Sequence, residues 1–492
     1  MKLLLRTSLI LLTLLASQVS AQEAPTLQVA NLFSDNMVLQ REAPIRVWGW
    51  DKPEVEVTVS LDSKVPATAS TKAGEDGRWT VELPAIEATS EPFGLSVKSG
   101  TGEVKFQNLL AGDVWICSGQ SNMEWTVNSS GNPKEEVANA NYPLIRHVKI
   151  GRQPSTTPLK DAKNSKWQIC SPETVGNFTA VGYYFGRELH KEVNIPIGLI
   201  NSNWGGTPIE AWISGESLKS HPDYKIAVEN MEANAAKNAS GEGQKVGPNQ
   251  PTALYNSMID PLKPFSFKGV IWYQGESNAG RAHQYQTLKP LLINDWRKQW
   301  STVESKNEFP FYWVQLANFR DPSPQPAGSD WAELREAQSM ALSLPNTGQA
   351  VAIDIGNAKD IHPKNKQEVG RRLALNALAK DYGKKIEFSG PVYDSMEVEG
   401  SKIRLTFSHA EGLQAKGGEL ERFEIAGADQ KFVWATAKIE GSNVIVSSEE
   451  VPAPVAVRYA WANNPDGCNL YNAADLPASP FRTDNWKGVT QR

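Results

Sequence analysis

The sequence predicts an α/β protein in which a parallel sheet carries helices on both faces, flanked at each end by β-sandwich-like regions. Three observations lead there. Apolar runs at 113–117, 197–201, 269–272, 311–316 and 350–353 alternate with helical patterns at 180–193, 284–299, 332–342 and 367–379, and such alternation builds a parallel sheet covered on both sides. Several runs end in Gly-containing turns, at the strand ends where open α/β sheets hold ligands. On either side of this region the chain reads as short strands broken by turns.

Taken in order, residues 1–21 read as a secretory signal peptide. Lys2 and Arg6 precede the apolar run 9–15, and Val19-Ser20-Ala21 offers small residues for cleavage near Ala21. The run is too short to span a bilayer and no stop-transfer segment follows, so a secreted or periplasmic protein without membrane insertion is expected. Residues 22–108 contain short β-like runs at 45–50, 55–61, 79–83 and 95–98, separated by turns such as Glu75-Asp76-Gly77. They read as an N-terminal β-sandwich-like domain. The α/β region then occupies 109–383. Two polar stretches within it, 128–166 and 214–250, read as loops lining the site or as surface insertions, the second with a helix or loop around 232–238. From 384 to 492 the β pattern returns at 403–407, 431–438, 443–447 and 456–461, either as a third domain or as strands completing the first. A chain of 492 residues is too long for one core.

Composition narrows the function. The chain is 40% hydrophobic and 21% charged, as ordinary globular proteins are. Its net charge of −5 becomes −7 without Lys2 and Arg6, which argues against nucleic acid or an anionic membrane as partner. Cys117, Cys170 and Cys468 cannot all pair; a Cys117–Cys170 bridge and two buried free thiols are equally open. No cluster has zinc or EF-hand spacing, so no metal or cofactor is expected.

The chemistry concentrates at four places. The strand ending in Gly119-Gln120-Ser121 presents a serine at the turn, where a nucleophile would be displayed. A lone serine there usually caps a turn, but the remaining parts favour catalysis. Gly205-Gly206, after the run 197–201, frees backbone N–H groups for an oxyanion hole, and Gln274 offers a side-chain N–H for the same purpose. Asp360-Ile361-His362-Pro363 supplies a base: Pro363 keeps His362 out of helix, and in extended chain residues two apart face the same side. Of six histidines, His362 alone has both a neighbouring acid and a place after the last parallel strand.

These blocks carry a resemblance. Gly119-Gln120-Ser121-Asn122-Met123, Trp204-Gly205-Gly206-Thr207-Pro208-Ile209-Glu210-Ala211-Trp212, Trp272-Tyr273-Gln274-Gly275-Glu276-Ser277-Asn278 and Asp360-Ile361-His362-Pro363 are similar to the four blocks of the sialate O-acetylesterase family, within the SGNH (GDSL-like) hydrolases. Flanking segments such as Met37-Val38-Leu39-Gln40-Arg41 and Val457-Arg458-Tyr459-Ala460-Trp461 extend it over nearly the whole mature chain. The resemblance implies a flavodoxin-like sheet and a serine esterase acting on O-acetylated sugars or glycans, foremost sialic acids. Its triad would be Ser121, His362 and Asp360, with oxyanion donors Ser121, Gly206 and Gln274 and no cofactor. Two departures stand out. Acid and histidine are two apart where many SGNH enzymes have three, leaving Asp354 or a carbonyl as other ways to orient His362, and Gln274 stands where many relatives use Asn. The rival readings are an acetylesterase of acetyl-xylan or acetyl-pectin, and a non-catalytic carbohydrate-binding protein using some of the 16 tryptophans. The carboxylate would raise the pKa of His362 and burial would lower it; a value near ~6.5 or somewhat above is expected.

Overall fold

The computed structural model describes residues 27–163, 166–301 and 308–491; the leader reading of residues 1–21 lies outside them. The organising element is one long strand, β1 (Gly102–Gly119), whose burial pattern changes along its length. From Glu103 to Asn108 exposed and half-buried residues alternate, and from Leu109 to Gly119 every residue is buried. The first half lies in a β-region with one face in solvent. The second half is the middle of a sheet covered on both faces, which requires a continuous apolar run. The 108/109 boundary expected from sequence therefore falls inside a continuous strand.

In the N-terminal region Glu56–Asp62 pairs antiparallel with Ala67–Lys72 on one side and Thr89–Ser99 on the other, and Thr89–Ser99 pairs antiparallel with β1. A second sheet joins Gln28–Val29, Ile45–Trp50 and Arg78–Leu83. Alternating side chains such as Trp79, Val81 and Leu83 fill the space between them together with Val57, Val59 and Leu61.

Beyond β1 the parallel strands are β2 (Tyr142–Lys149), β3 (Ile197–Asn203), β4 (Gly269–Tyr273), β5 (Phe311–Val314) and β6 (Thr347–Ala350). They lie in the spatial order β2-β3-β1-β4-β5-β6, with Gln168–Cys170 antiparallel at the outer edge of β2. Helices α1 (Ala180–Val193) and α4 (Lys366–Lys380) pack on one face, and α2 (Ala282–Trp300) and α3 (Asp330–Met340) on the other. The strand β2 lies in a stretch whose polarity reads as loop. Its Arg146 and His147 are buried, Arg146 donating to the Pro143 carbonyl (2.7 Å) and His147 stacked 4.3 Å from Phe178. Residues Lys225–Ala239, in the other polar stretch, form a helix that buries little beyond Val228 and Met231.

The C-terminal strands pair only with each other among the described residues, in two four-stranded sheets and a two-stranded one around a separate core. They do not complete the N-terminal sheets. Arg335 of α3 joins this region to the central one, donating to the carbonyls of Leu316 (2.7 Å), Ala317 (2.9 Å), Ala462 (2.7 Å) and Asn463 (3.0 Å). Cys117 and Cys170 are buried free thiols, and burial pushes the Cys170 thiol up to about 12.

Asp113, fully buried on β1, ties three segments together. It accepts hydrogen bonds from Gln40 (3.0 Å), Arg41 (3.0 Å) and Tyr382 (2.8 Å). Asp113→Ala should cost about 3 kcal/mol, because it leaves buried donors and a cation without their acceptor. A urea titration checks this, and an unchanged midpoint would contradict it.

Candidate active site

At the carboxyl end of β1 the backbone must pass close to β4. Gly119 has φ 131°, and a Cβ there would lie 2.2 Å from the Tyr273 carbonyl oxygen, so only glycine permits the approach. The Gln120 N–H then donates to that carbonyl (2.9 Å), and Ser121 opens a single helical turn, Ser121–Glu124. Asn122 and Met123 point into the protein, leaving Ser121 half-buried at the rim. Its Oγ lies 2.9 Å from His362 Nε2. His362 comes from the segment between β6 and α4, where Asn365 caps α4 by accepting from the Glu368 N–H (3.1 Å). The Trp125 ring stacks on the imidazole at 4.6 Å and 8°, fixing its plane from one side. Sequence and spacing had brought serine and histidine together, and the structure places them in contact.

The acid sits more loosely. Asp360 Oδ1 accepts from the His362 backbone N–H (2.9 Å) and stands 3.5 Å from Nδ1, beyond ordinary hydrogen-bond length. Asp354, the other carboxylate considered, is committed elsewhere: it forms a two-pronged pair with Arg372 (2.7 Å to each nitrogen) and accepts from the Tyr471 hydroxyl (3.0 Å). Desolvation pulls the His362 pKa below its usual value, Asp360 opposes this by attraction, and Lys366 adds to the lowering. The sequence expectation of a value near or above 6.5 is corrected accordingly: burial outweighs the carboxylate because the carboxylate is partly exposed and too far for a good hydrogen bond.

Gly205 and Gly206 turn against the serine. A Cβ at Gly205 would be 3.1 Å from the Ser121 Cβ, and Gly206 takes φ 74°, a left-handed value suited to glycine. Among the described residues neither the Ser121 nor the Gly206 N–H has a hydrogen-bond partner, which leaves both donors available. Gln274 differs from expectation. It is fully buried, its Nε2 donates to Asn278 Oδ1 (2.7 Å) and the Thr207 carbonyl (3.3 Å), and its Oε1 accepts from the Tyr285 hydroxyl (2.9 Å). Both amide hydrogens are occupied, so Gln274 braces the turn beside Gly206 instead of offering a free N–H. Asn278, four residues on, claims that amide because no water reaches either group.

Sequence reasoning did not assign roles to the groups behind the serine. The Asn122 amide donates to Glu276 Oε1 (2.6 Å) and to the Ile361 carbonyl (3.0 Å), and its oxygen accepts from Lys366 Nζ (2.5 Å). Lys366 is buried, which brings its pKa down to about 7, and burial likewise raises that of Glu276. Both Asn122 and Glu276 lie inside the sequence blocks, but the lysine is contributed by α4 and no local spacing announces it. At the rim Glu124 accepts from the Gly205 N–H (2.9 Å) and pairs with Arg152, whose guanidinium lies 5.6 Å over the Trp204 ring. No group of three or more metal-ligating side chains occurs among the described residues.

The sequence model described as "Carbohydrate esterase, sialic acid-specific acetylesterase" matches residues 111–379. The chain belongs to the sialate O-acetylesterase family. A sialate O-acetylesterase from Pongo abelii is 34% identical over 92% of this chain and 91% of its own length, and one from Homo sapiens is 33% identical with the same coverage. A solved carbohydrate acetylesterase from Xanthomonas citri is 43% identical, with a TM-score of 0.84 over 94% of this chain and 100% of that one. Membership of this family makes the chain a carboxylic ester hydrolase and sets aside a purely sugar-binding role.

The acid limb of kcat/KM for p-nitrophenyl acetate should therefore fall below pH ~6.5, because the base works only when neutral. Asp360→Asn should move the limb lower, since an attraction that raises the histidine pKa is lost. Lys366→Met should move it up, and Asp354→Asn should leave it in place. A wild-type limb above ~6.5 would contradict the reading of His362.

Proposed function

We propose that this protein is an exported serine esterase that releases acetate from O-acetylated sialic acids. The observation that carries the proposal is the 2.9 Å contact between Ser121 Oγ and His362 Nε2 beside two unpartnered N–H groups. Ser121 Oγ attacks the acetyl carbonyl while His362 takes its proton, and the backbone N–H groups of Ser121 and Gly206 hold the developing oxyanion. His362 then protonates the departing sugar oxygen. Water, giving its proton to the same imidazole, attacks the acetyl-enzyme and frees acetate. Asp360 orients the ring and stabilises the imidazolium, closing on Nδ1 when substrate excludes water. Gln274 can serve as a third donor only by releasing Thr207, the longer of its two bonds.

Strand order supports the SGNH reading of the scaffold. With β2 and Gln168–Cys170 set aside as edge additions, β3-β1-β4-β5-β6 is the 2-1-3-4-5 order of flavodoxin-like sheets. The names of the mammalian relatives favour sialic acid, and so does the rim: Arg152, although paired with Glu124, keeps 38% of its side chain exposed and has further N–H groups to share with a sugar carboxylate. Export rests on the leader read in residues 1–21 and on cleavage near Ala21.

Acetate release from O-acetylated sialic acid, acetyl-xylan and acetyl-pectin tests the substrate, the sialate being the expected best. Ser121→Ala and His362→Ala should each lose at least about a thousandfold in kcat while remaining folded. Near-normal turnover by either folded variant would overturn the mechanism. Arg152→Met should weaken kcat/KM for O-acetylated sialic acid about tenfold more than for p-nitrophenyl acetate, as the loss of a charge-assisted contact would. Equal losses on the two substrates would remove Arg152 from the recognition of the carboxylate.

A further inference from the structure

A second concave site lies where the C-terminal region meets the segment after β5. The cavity, about 130 Å³, is lined by Asp321, Arg422, Glu424, Trp434, Trp461 and Asn463 among others. That is about ten times the space one water needs, enough for a single sugar ring and too small for a folded peptide. Its floor contains an uncompensated polar group. Glu424 is 1% exposed, and its Oε2 has no hydrogen-bond partner. Neither nearby cation hydrogen-bonds to it: Arg458 is taken by Asp484 (2.8 and 3.0 Å), and Arg422 donates to the Asp466 carbonyl and lies 5.4 Å over the Trp434 ring. Burial pushes the Glu424 carboxyl up to about 8 against the attraction of Arg458 and Arg422, which favours the protonated form, able both to donate and to accept. A buried carboxyl oxygen left without a partner is unfavourable, and a bound hydroxyl group would satisfy it.

The backbone around the cavity carries strain. Arg422 (φ 65°) and Ala460 (φ 53°) line it, and Arg320 (φ 74°) adjoins it; none is glycine, and such conformations gather at ligand sites. Trp434 forms a half-buried wall, its Nε1 held by the Pro324 carbonyl (3.0 Å). The site is also coupled to the catalytic loop. Asp321 pairs with Lys359 (2.9 Å), and the Arg320 N–H donates to the Ala358 carbonyl (3.1 Å). Lys359 immediately precedes Asp360, and the three residues from it to His362 span at most about 11 Å. The loop that carries His362 is therefore also in contact with the segment that borders this cavity.

We propose that this cavity binds a neutral sugar unit of the glycan whose acetylated residue sits at Ser121. The inference rests on the carbohydrate substrate proposed above. An aromatic wall, a carboxyl that can donate and accept, and amide side chains together match a pyranose, whose faces are apolar and whose edges carry hydroxyls.

The test uses the full chain and two variants, Glu424→Met, which keeps the volume but removes the donor and acceptor, and Ala327→Trp, the latter filling the cavity from its exposed rim so that the core is untouched. The wild type should show a lower KM for O-acetylated sialyllactose than for free O-acetylated sialic acid. Each variant should cut that advantage about tenfold, the size of one or two lost hydrogen bonds. Lactose alone should bind the Ser121→Ala protein by calorimetry and fail to bind once Ala327→Trp is added. An unchanged KM ratio in folded variants, together with no lactose binding, overturns the subsite. Lactose binding abolished by Ala327→Trp, with no acetate released from either sialoside by the wild type, upholds the subsite and overturns the sialate reading instead.

Discussion

One buried amide sets the geometry on which the catalytic arrangement depends. Asn122 follows Ser121 directly, and its three contacts reach two distant parts of the chain: Glu276 after β4, and the segment that carries His362, through Ile361 and Lys366 at the start of α4. The contact with Lys366 is buried and the other two are partly so, and away from water a lost partner is costly and a satisfied one is rigid. Ser121 and His362 are 241 residues apart in sequence yet 2.9 Å apart in space. Their separation is held by a side chain adjacent to one that also grips the residue before the other. A displacement of ~1 Å between such groups can cost about a hundredfold in rate, so this rigidity matters more than any single bond.

The same cluster brings two opposite charges out of water. A buried lysine and a buried glutamate each move toward neutrality, Lys366 downward and Glu276 upward. Asn122 is their natural mediator, accepting from the ammonium and donating to the carboxylate, so neither charge is left alone. The nearby lysine also acts through space on His362 and favours the neutral imidazole that general-base chemistry requires. Trp125 contributes by covering one face of that ring.

Much of this was legible in the sequence, and the parts that were not share a cause. Alternation of apolar runs with helical patterns located α1 at Ala180–Val193 and placed α2, α3 and α4 within two residues of their observed ends, because those helices bury one amphipathic face. The strand β2 escaped because its buried Arg146 and His147 look like surface residues until Phe178 and a carbonyl are known to meet them. Ser121 and the Gly205-Gly206 turn were visible because each follows a strand end, and His362 because the Asp360-Ile361-His362-Pro363 motif marks it. Gln274 was placed in the correct turn, but its hydrogen-bond partner was not legible, since Asn278 competes with the site for the same amide. Lys366 reaches Asn122 across 244 residues, and Arg152 meets Glu124 and Trp204 from another loop; such pairings leave no mark in local spacing.

The strand Gly102–Gly119 has a consequence for how the molecule can be divided. One end belongs to the antiparallel region and the other presents the serine, and no turn or linker lies between them. The N-terminal region is therefore not a detachable module: cutting the chain near residue 108 would expose unpaired backbone in both sheets at once. The shared strand couples the two sheets, so damage to the outlying β-region would be transmitted to the position of Ser121. A surface substitution remote from the catalytic cleft can in this way lower the amount of competent enzyme without touching its chemistry.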